Sequence, residues 1–386
     1  MNTLIKSFDF FKLDSVLISL FLIANALGLL AIASSSIAYA DLASNNPLVF
    51  FIKQLIHLSI GLALIFFIIL TPISFWERWD RPLFGIGIFL LLLVLIPSIG
   101  TEVNGASRWI RIGSFSLQPS EIMKFISILY ISGYSVRRLK ELQKELSGFM
   151  KPAILVILVT FLILLQPDLG SSAVIFLSVL AILFVAGVPM IQFLVLILLG
   201  TVALFSFIYF VPWRWERIIS FMDPWGDQFD SGYQLTQSLM AIGRGEWFGK
   251  GLGESILKMG YLPEAHTDFI FSIIIEEMGV LLGLLIMIIL FSMVFRCFAI
   301  ASNATERGLL FSSFISYGVG ILIGLHIFIN IGVALGLLPT KGLTLPFISY
   351  GGNNLIIMCG LIGLVLRTDY ETKQSMPIQR IFRKAI

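Results

Sequence analysis

The chain reads as a succession of apolar windows about twenty residues long, separated by polar stretches of unequal length. About twenty apolar residues span a bilayer's hydrocarbon core. Ten such windows stand out, at roughly 16–40, 48–71, 83–99, 119–136, 152–166, 168–187, 190–211, 269–296, 308–331 and 349–367. The pattern predicts an all-α polytopic membrane protein, with residues 16–367 as one ten-span membrane domain. A short segment, 1–15, precedes it, and a basic tail, 368–386, follows it. The longest polar stretch, 212–268, forms a large extracytoplasmic loop between spans seven and eight.

Composition agrees. Of 386 residues, 58% are hydrophobic and 13% charged, and mean hydropathy is +0.96. No soluble core buries so much apolar surface. Ser36 to Asp41 contains Ala38-Tyr39-Ala40, which is similar to a signal-peptidase site, but the apolar stretch before it is too long for a signal core. It reads as a retained first span. The net charge of +3 gives no argument for nucleic acid.

Charge sets the orientation. The N-terminus, 72–82, 137–151, 296–307 and the tail from 367 carry 16 of the 26 Lys and Arg. Half of the remaining ten lie in the long loop, which counts little in the positive-inside rule. Both termini are therefore read as cytoplasmic. Four polar stretches then face outward: 100–118, 166–168, 212–268 and 332–348.

The outward stretches carry the candidate chemistry. Residues 105–125 contain Arg108, Trp109 and Arg111, then Gln118-Pro119-Ser120-Glu121 at a helix start, with Lys124 three residues beyond Glu121. A local Glu–Lys pair and an interfacial Trp are the plain alternatives there. Gln166-Pro167-Asp168 repeats the pattern, with Pro167 fitting the first helical position. In the long loop, Arg214 and Arg217 precede a helix predicted from Tyr233 to Gly243. Gly243, Gly245, Gly249, Gly251 and Gly253 follow as a glycine-rich turn. Residues 261–277 read YLPEAHTDFIFSIIIEE: Glu264, His266 and Asp268 meet an apolar run that itself carries Glu276 and Glu277. Asp268 is either a chemically active carboxylate or a helix cap. Lys341 and Ser349 lie in the last outward stretch, before the final helix.

Spans four, six, eight and ten would all begin on the outer face. Four positive helix ends and the cations Arg108, Arg111, Arg214, Arg217, Lys250 and Lys341 would share that face. The arrangement suits a diphosphate, with Asp268 or Glu264 as a general base. Glu276, eight residues after Asp268, would lie about 12 Å deeper in the membrane. His326 and Asn330 are its candidate partners. A flippase or transporter, and a scaffold without chemistry, remain as alternatives. The three histidines and two cysteines show no metal-ligand spacing.

The stretches RWIRIG…QPSEIMKF, QPDLGSS, LPEAHTDFIF, EEMG and LPTKGLTLPFISYGG resemble the SEDS family of bacterial cell-wall proteins, over about residues 16–367. PEAHTDFIF and PTKGLTLPFISYGG are more similar to the division branch than to the elongation branch. The resemblance implies a peptidoglycan glycosyltransferase of the inner membrane that polymerises lipid II at the division septum. An elongation-type polymerase is the alternative within the family. It also implies a class B penicillin-binding transpeptidase and other septal division proteins as partners. The family's essential aspartate falls on Asp268. Arg108, Arg111, Lys124, Arg214 and Lys341 become candidates for diphosphate contact, with Trp109, Glu121, Glu264, His266 and Ser349 as further substrate contacts. A divalent cation such as Mg would share the diphosphate, although no residue spacing supplies its ligands. The chain departs from relatives at Gly260, where some carry an acid, and at Asn353-Asn354, where Ser is commoner.

Overall fold

The computed structural model describes residues 9–103, 106–113 and 115–375. Of the predicted terminal segments, 1–8 and 376–386 lie outside the described residues. Ten long helices match the ten windows: α1 (Ser15–Ser44), α2 (Val49–Leu70), α3 (Ile73–Leu93), α4 (Pro119–Arg137), α6 (Leu146–Leu164), α7 (Leu169–Val185), α8 (Met190–Tyr209), α11 (Ile270–Glu306), α12 (Leu310–Ala334) and α13 (Gly352–Gln374). The short α5 (Leu139–Lys144) connects α4 to α6. In the loop of 212–268 lie α9 (Pro212–Met222) and α10 (Tyr233–Gly245). Six of the ten (α1, α2, α6, α8, α11 and α12) are long and apolar enough to cross a membrane by length and composition alone. Helix α7 is apolar but shorter, and α3, α4 and α13 carry charged residues within their length.

Three boundaries differ from the sequence reading. Helix α3 starts ten residues before the predicted span and takes in the stretch read as a loop, because Trp76 and Asp80 are buried against the bundle. Asp80 pairs with Arg137 of α4 at 2.7 Å. The stretch after α3 is not irregular. Strands β1 (Gly100–Val103), β2 (Ala106–Ile112) and β3 (Phe115–Leu117) form an antiparallel sheet in the order β1-β2-β3, with Gly100 opposite Ile110 and Arg111 opposite Ser116. Finally, α7 begins at Leu169 with Asp168 as its side-chain cap, so Pro167 precedes the cap.

The two ends of the chain meet. Arg296 of α11 binds Asp14 at the start of α1 with both its Nε and Nη2. Lys373 near the end of α13 donates to the Lys12 carbonyl at 3.0 Å. This face is the terminal face, and the long loop lies at the other end.

Helix α11 is broken. Gly279 has φ 84° and ψ 167°, outside any helix. A Cβ on Gly283 would sit 3.5 Å from the Phe271 ring. In a straight helix these residues stand about 18 Å apart along the axis. The half-helix 270–278 therefore folds back against the long half that follows. The break leaves orphan backbone groups on both sides, and the glycine-rich turn satisfies them. The N–H groups of Lys250 and Gly251 donate to the carbonyls of Glu276 and Glu277 at 3.0 and 2.9 Å. Those of Val280 and Leu281 donate to the carbonyls of Glu246 and Trp247 at 2.9 and 3.3 Å. Such contact is possible only without side chains: a Cβ on Gly249 or Gly279 would lie 2.2 Å from a facing carbonyl oxygen.

The fold-back inverts the predicted depth of Glu276. Thr305 of α11 and Ser313 of α12 share a hydrogen bond at 2.6 Å, which sets those helices level. From there Asn330, which binds the Asp268 carbonyl at 2.8 Å, is about 25 Å up α12, and Val280 about 37 Å up α11. Asp268 thus lies about 12 Å nearer the terminal face than the break. Glu276 and Glu277 are at the apex. Their partners are not His326 and Asn330. Glu276 accepts from Arg244 at 3.1 Å and Ser255 at 2.5 Å. Glu277 accepts from Lys258 and from Ser34 of α1, both at 2.6 Å.

Gly279→Ala forces a β-carbon into both a left-handed backbone and the Trp247 carbonyl. The expected cost is at least about 2 kcal/mol, read as a lowered Tm of the purified chain in detergent. Gly243→Ala, with open space around it, should stay within about 1 kcal/mol of the parent. Equal Tm values for the two variants would remove the break from the fold's requirements.

Candidate active site

Asp268 precedes α11 and does not cap it. The N-cap position is Phe269, with no side-chain cap hydrogen bond. Among the described residues nothing donates a hydrogen bond to its carboxylate. The group is half-buried, and a Cβ on Gly342 would lie 3.1 Å from its Oδ2, so the loop 335–351 closes directly over it. Burial first, and the negative charge of Glu264 second, push its pKa up to about 7, against the pull of Arg217 and Arg108. A carboxyl poised there exchanges a proton readily near neutral pH.

The cations around it come from three elements. Arg108 lies on β2, and its guanidinium donates to the carbonyls of Gln166 (3.0 Å) and Pro167. That anchors the sheet to the turn before α7. Arg214 and Arg217 stand three apart on α9, hence on one helix face. Arg214 packs over the Phe207 ring, 3.8 Å from its centroid. Lys341 comes from the loop 335–351. Burial, then the charges of Arg217, Arg214 and Arg108 in that order, lower its pKa to about 8. Arg214 and Arg217 are lowered too, by burial first. The four positive charges are thus held within electrostatic reach of one another, against the carboxyls of Asp268 and Glu264. Such a preorganised positive field favours a multiply charged anion.

The other predicted residues are placed differently. Arg108 and Arg111 are three positions apart on β2, so the pleat puts them on opposite faces: Arg108 is half-buried, while Arg111 is exposed. Trp109 pairs with Thr101 across the sheet and alternates with Arg108. Lys124 is fully buried, bound to Glu121 at 2.6 Å, with Asn354 donating to the same carboxylate at 2.9 Å. This is a closed pair between α4 and α13. His266 is buried among Tyr39, Phe50 and Tyr350, its centroid 4.7 Å from Phe50. Ser349 accepts from the Leu345 N–H at 2.9 Å and so closes its own turn. Glu264 is exposed, accepts from the Thr267 hydroxyl at 2.6 Å, and acts on Asp268 through charge. Arg217, read from the sequence as an outer-face cation but not as a candidate for diphosphate contact, belongs with the cluster. Its signal was the three-residue spacing from Arg214.

Asp168 is occupied structurally. It caps α7 through the Ser171 N–H at 3.1 Å and accepts from Ser120 at 3.0 Å. It therefore joins the starts of α4 and α7. Among the described residues no group of three His, Cys, Asp or Glu side chains converges.

A multi-pass helical bundle with two carboxyls and a cluster of four cations on the connections between its helices defines a membrane protein suited to an anionic ligand. Comparison gives its kin. The family model for cell cycle proteins of the FtsW/RodA/SpoVE type matches residues 14–374, and the chain belongs to this family. It is 47% identical to the probable peptidoglycan glycosyltransferase FtsW of Coxiella burnetii, over 90% of this chain and 94% of that one. The corresponding protein of Saccharophagus degradans is 45% identical, covering 95% of each. Among solved structures, a chain of a peptidoglycan synthase complex, studied for its coordination of polymerization and crosslinking, matches with TM-score 0.76 and 29% identity, over 94% of this chain and 99% of that one. The rod shape determining protein RodA of Thermus thermophilus matches with TM-score 0.68 and 28% identity, over 94% and 98%.

Removing the Glu264 charge should lower the Asp268 midpoint from about 7 toward the ordinary carboxylate range, and removing the Arg217 charge should raise it. Difference infrared titration of the carboxyl in Glu264→Gln and Arg217→Gln would read both shifts. An unmoved midpoint in both would separate Asp268 from the cluster. The stability sign follows. With its folded pKa raised, the folded chain binds more protons than the unfolded one between about pH 4 and about 7. This group's contribution to stability therefore falls as pH rises through that window, and Asp268→Asn abolishes that part of the slope.

Proposed function

We propose that the chain is a peptidoglycan glycosyltransferase that polymerises lipid II at the outer surface of the inner membrane, with both termini cytoplasmic. The observation that carries the reading is the Asp268 carboxyl, closed under Gly342 with no hydrogen-bond donor among the described residues, facing the charges of Arg108, Arg214, Arg217 and Lys341. Family membership and the names of its relatives support it. Asp268, as its carboxylate, removes the proton from the acceptor sugar hydroxyl. That oxygen attacks the donor's anomeric carbon from the face opposite the leaving group. A new glycosidic C–O bond forms with inversion. The bond to the undecaprenyl diphosphate breaks, and the diphosphate leaves with the electron pair. The cations stabilise the charge that develops on it.

The likeness to a chain from a synthase complex supports a class B penicillin-binding transpeptidase as partner. The identity with FtsW proteins supports a septal rather than an elongation role. A transport reading would rest on Glu276, Glu277, His326 and Asn330; the glutamates are held by the loop and α1, and His326 and Asn330 meet backbone carbonyls.

Lipid II supplied to the purified chain with its transpeptidase partner should yield glycan strands. Asp268→Asn should slow polymerisation by at least about 10²-fold. The rate should rise with pH through about 7, as Asp268 ionises, and fall above about 8, as Lys341 loses its charge. Full polymerisation by Asp268→Asn would exclude the general-base role.

A further inference from the structure

We propose that Asn330 is a positioning residue for Asp268: its one amide ties Asp268 and the loop 335–351 to α12 and so fixes their separation. The inference rests on Asp268 as the base.

The Asn330 Nδ2 donates to two carbonyls at once, that of Asp268 at 2.8 Å and that of Leu343 at 2.7 Å. These carbonyls belong to segments 75 residues apart in sequence. Both can only accept, so they fix which end of the amide faces them. One turn earlier on the same helix face, His326 meets the next loop carbonyl, that of Thr344, with its Nδ1 at 3.4 Å. The two side chains thus hold consecutive residues of the loop against α12. Both are fully buried, at 0% and 1% exposure. Among the described residues the Asn330 Oδ1 and His326 Nε2 have no hydrogen-bond partner. An apolar residue would avoid that cost, so the donors are what the site requires of these positions.

The tie has a chemical consequence. Asp268 and Lys341 approach the site from different segments, and neither is on a continuous helix. A Cβ on Gly342 would lie 3.1 Å from the Asp268 carboxylate, so the loop leaves little more than a glycine's room beside it. The half-helix 270–278 is held at its far end by the break, and Asn330 holds its near end. Loss of the amide frees the base to move relative to the lysine and the other cations. A displacement of about 1 Å at such a site costs on the order of 10²-fold in rate.

Two measurements test this. The first does not need activity. Cysteines introduced by Asp268→Cys and Gly342→Cys, with Cys297 and Cys359 replaced by Ala, should cross-link rapidly under mild oxidation in the full chain. Adding Asn330→Ala should slow cross-linking by about tenfold or more. An unchanged cross-linking rate overturns the positioning role whether or not the chain polymerises lipid II. The second uses the chain with its transpeptidase partner. Asn330→Ala and the isosteric Asn330→Asp should each lower kcat by about 10- to 100-fold with KM within about twofold. Asn330→Ala should add little further loss to Asp268→Asn, because it acts through that residue. An equal proportional loss on the Asp268→Asn background would assign Asn330 to the fold alone. A parent that makes no glycan, with cross-linking still dependent on Asn330, would sink the polymerase reading and leave the positioning role standing.

Discussion

The site depends on a helix that is not allowed to continue. An intact α11 would carry residues 268–278 straight beyond the level of the break, away from the cleft. Breaking a helix inside a membrane protein exposes backbone groups that lipid cannot satisfy. The glycine-rich turn supplies two donors and two acceptors to that break, and the glycines exist because backbone must touch backbone. The carboxylates of the apex are matched in the same way. Lys258 and Glu277 are both nearly inaccessible. Removing one partner of a buried pair typically costs about 3–5 kcal/mol, so the loop is committed to its place once the chain has folded.

The break explains where the chemistry sits. Because the half-helix runs back toward the terminal face, its N-terminal end lies deeper than its C-terminal end. Asp268 is delivered into the bundle by a segment that starts in the long loop. The loop 335–351 enters from the other side and meets it at Gly342. Arg108 reaches in from the sheet and the two arginines of α9 from the long loop. Each charged group therefore comes from a connection between helices, while α12 provides the rigid wall. Irregular backbone at membrane depth is tolerated where it lines a polar cleft.

Much of this was legible in the chain, and the failures have physical causes. Ten apolar windows gave ten helices, because span length is set by the bilayer. The apolar run 269–296 hid the break, because the hydrophobic pattern resumes directly after Glu276 and Glu277 and only backbone conformation marks Gly279. Glu276 was therefore given a depth measured along a straight helix and partners on α12. The strand Ala106–Ile112 alternates apolar and polar residues only weakly, with two arginines and a tryptophan in seven positions, and it passed for a loop. Its pleat is what separates Arg108 from Arg111. Lys124 looked available to a ligand from its type alone, and only the bundle shows it closed on Glu121 and Asn354. Asp268 looked as much a cap as a base, since both want a helix start. The cap lost because α11 begins one residue too late for it.

The raised pKa of Asp268 and the lowered pKa of Lys341 are two readings of one constraint. Desolvation opposes charge on each group, while the proposed mechanism takes the first as negative and the second as positive. Alone in apolar surroundings both would be neutral. The arginines resolve this unequally: their charge favours the Asp268 carboxylate and disfavours the Lys341 ammonium. An anion entering between them reverses the second effect, restoring Lys341 to its charged form, and weakens the first, raising the proton affinity of Asp268. An anion there therefore favours the charged lysine and the protonated Asp268 at the same time. That reciprocity follows from placing one acid and four bases within a single half-buried cleft. It gives Glu264 a role without contact, since its charge keeps Asp268 near neutrality even while the cleft is most positive.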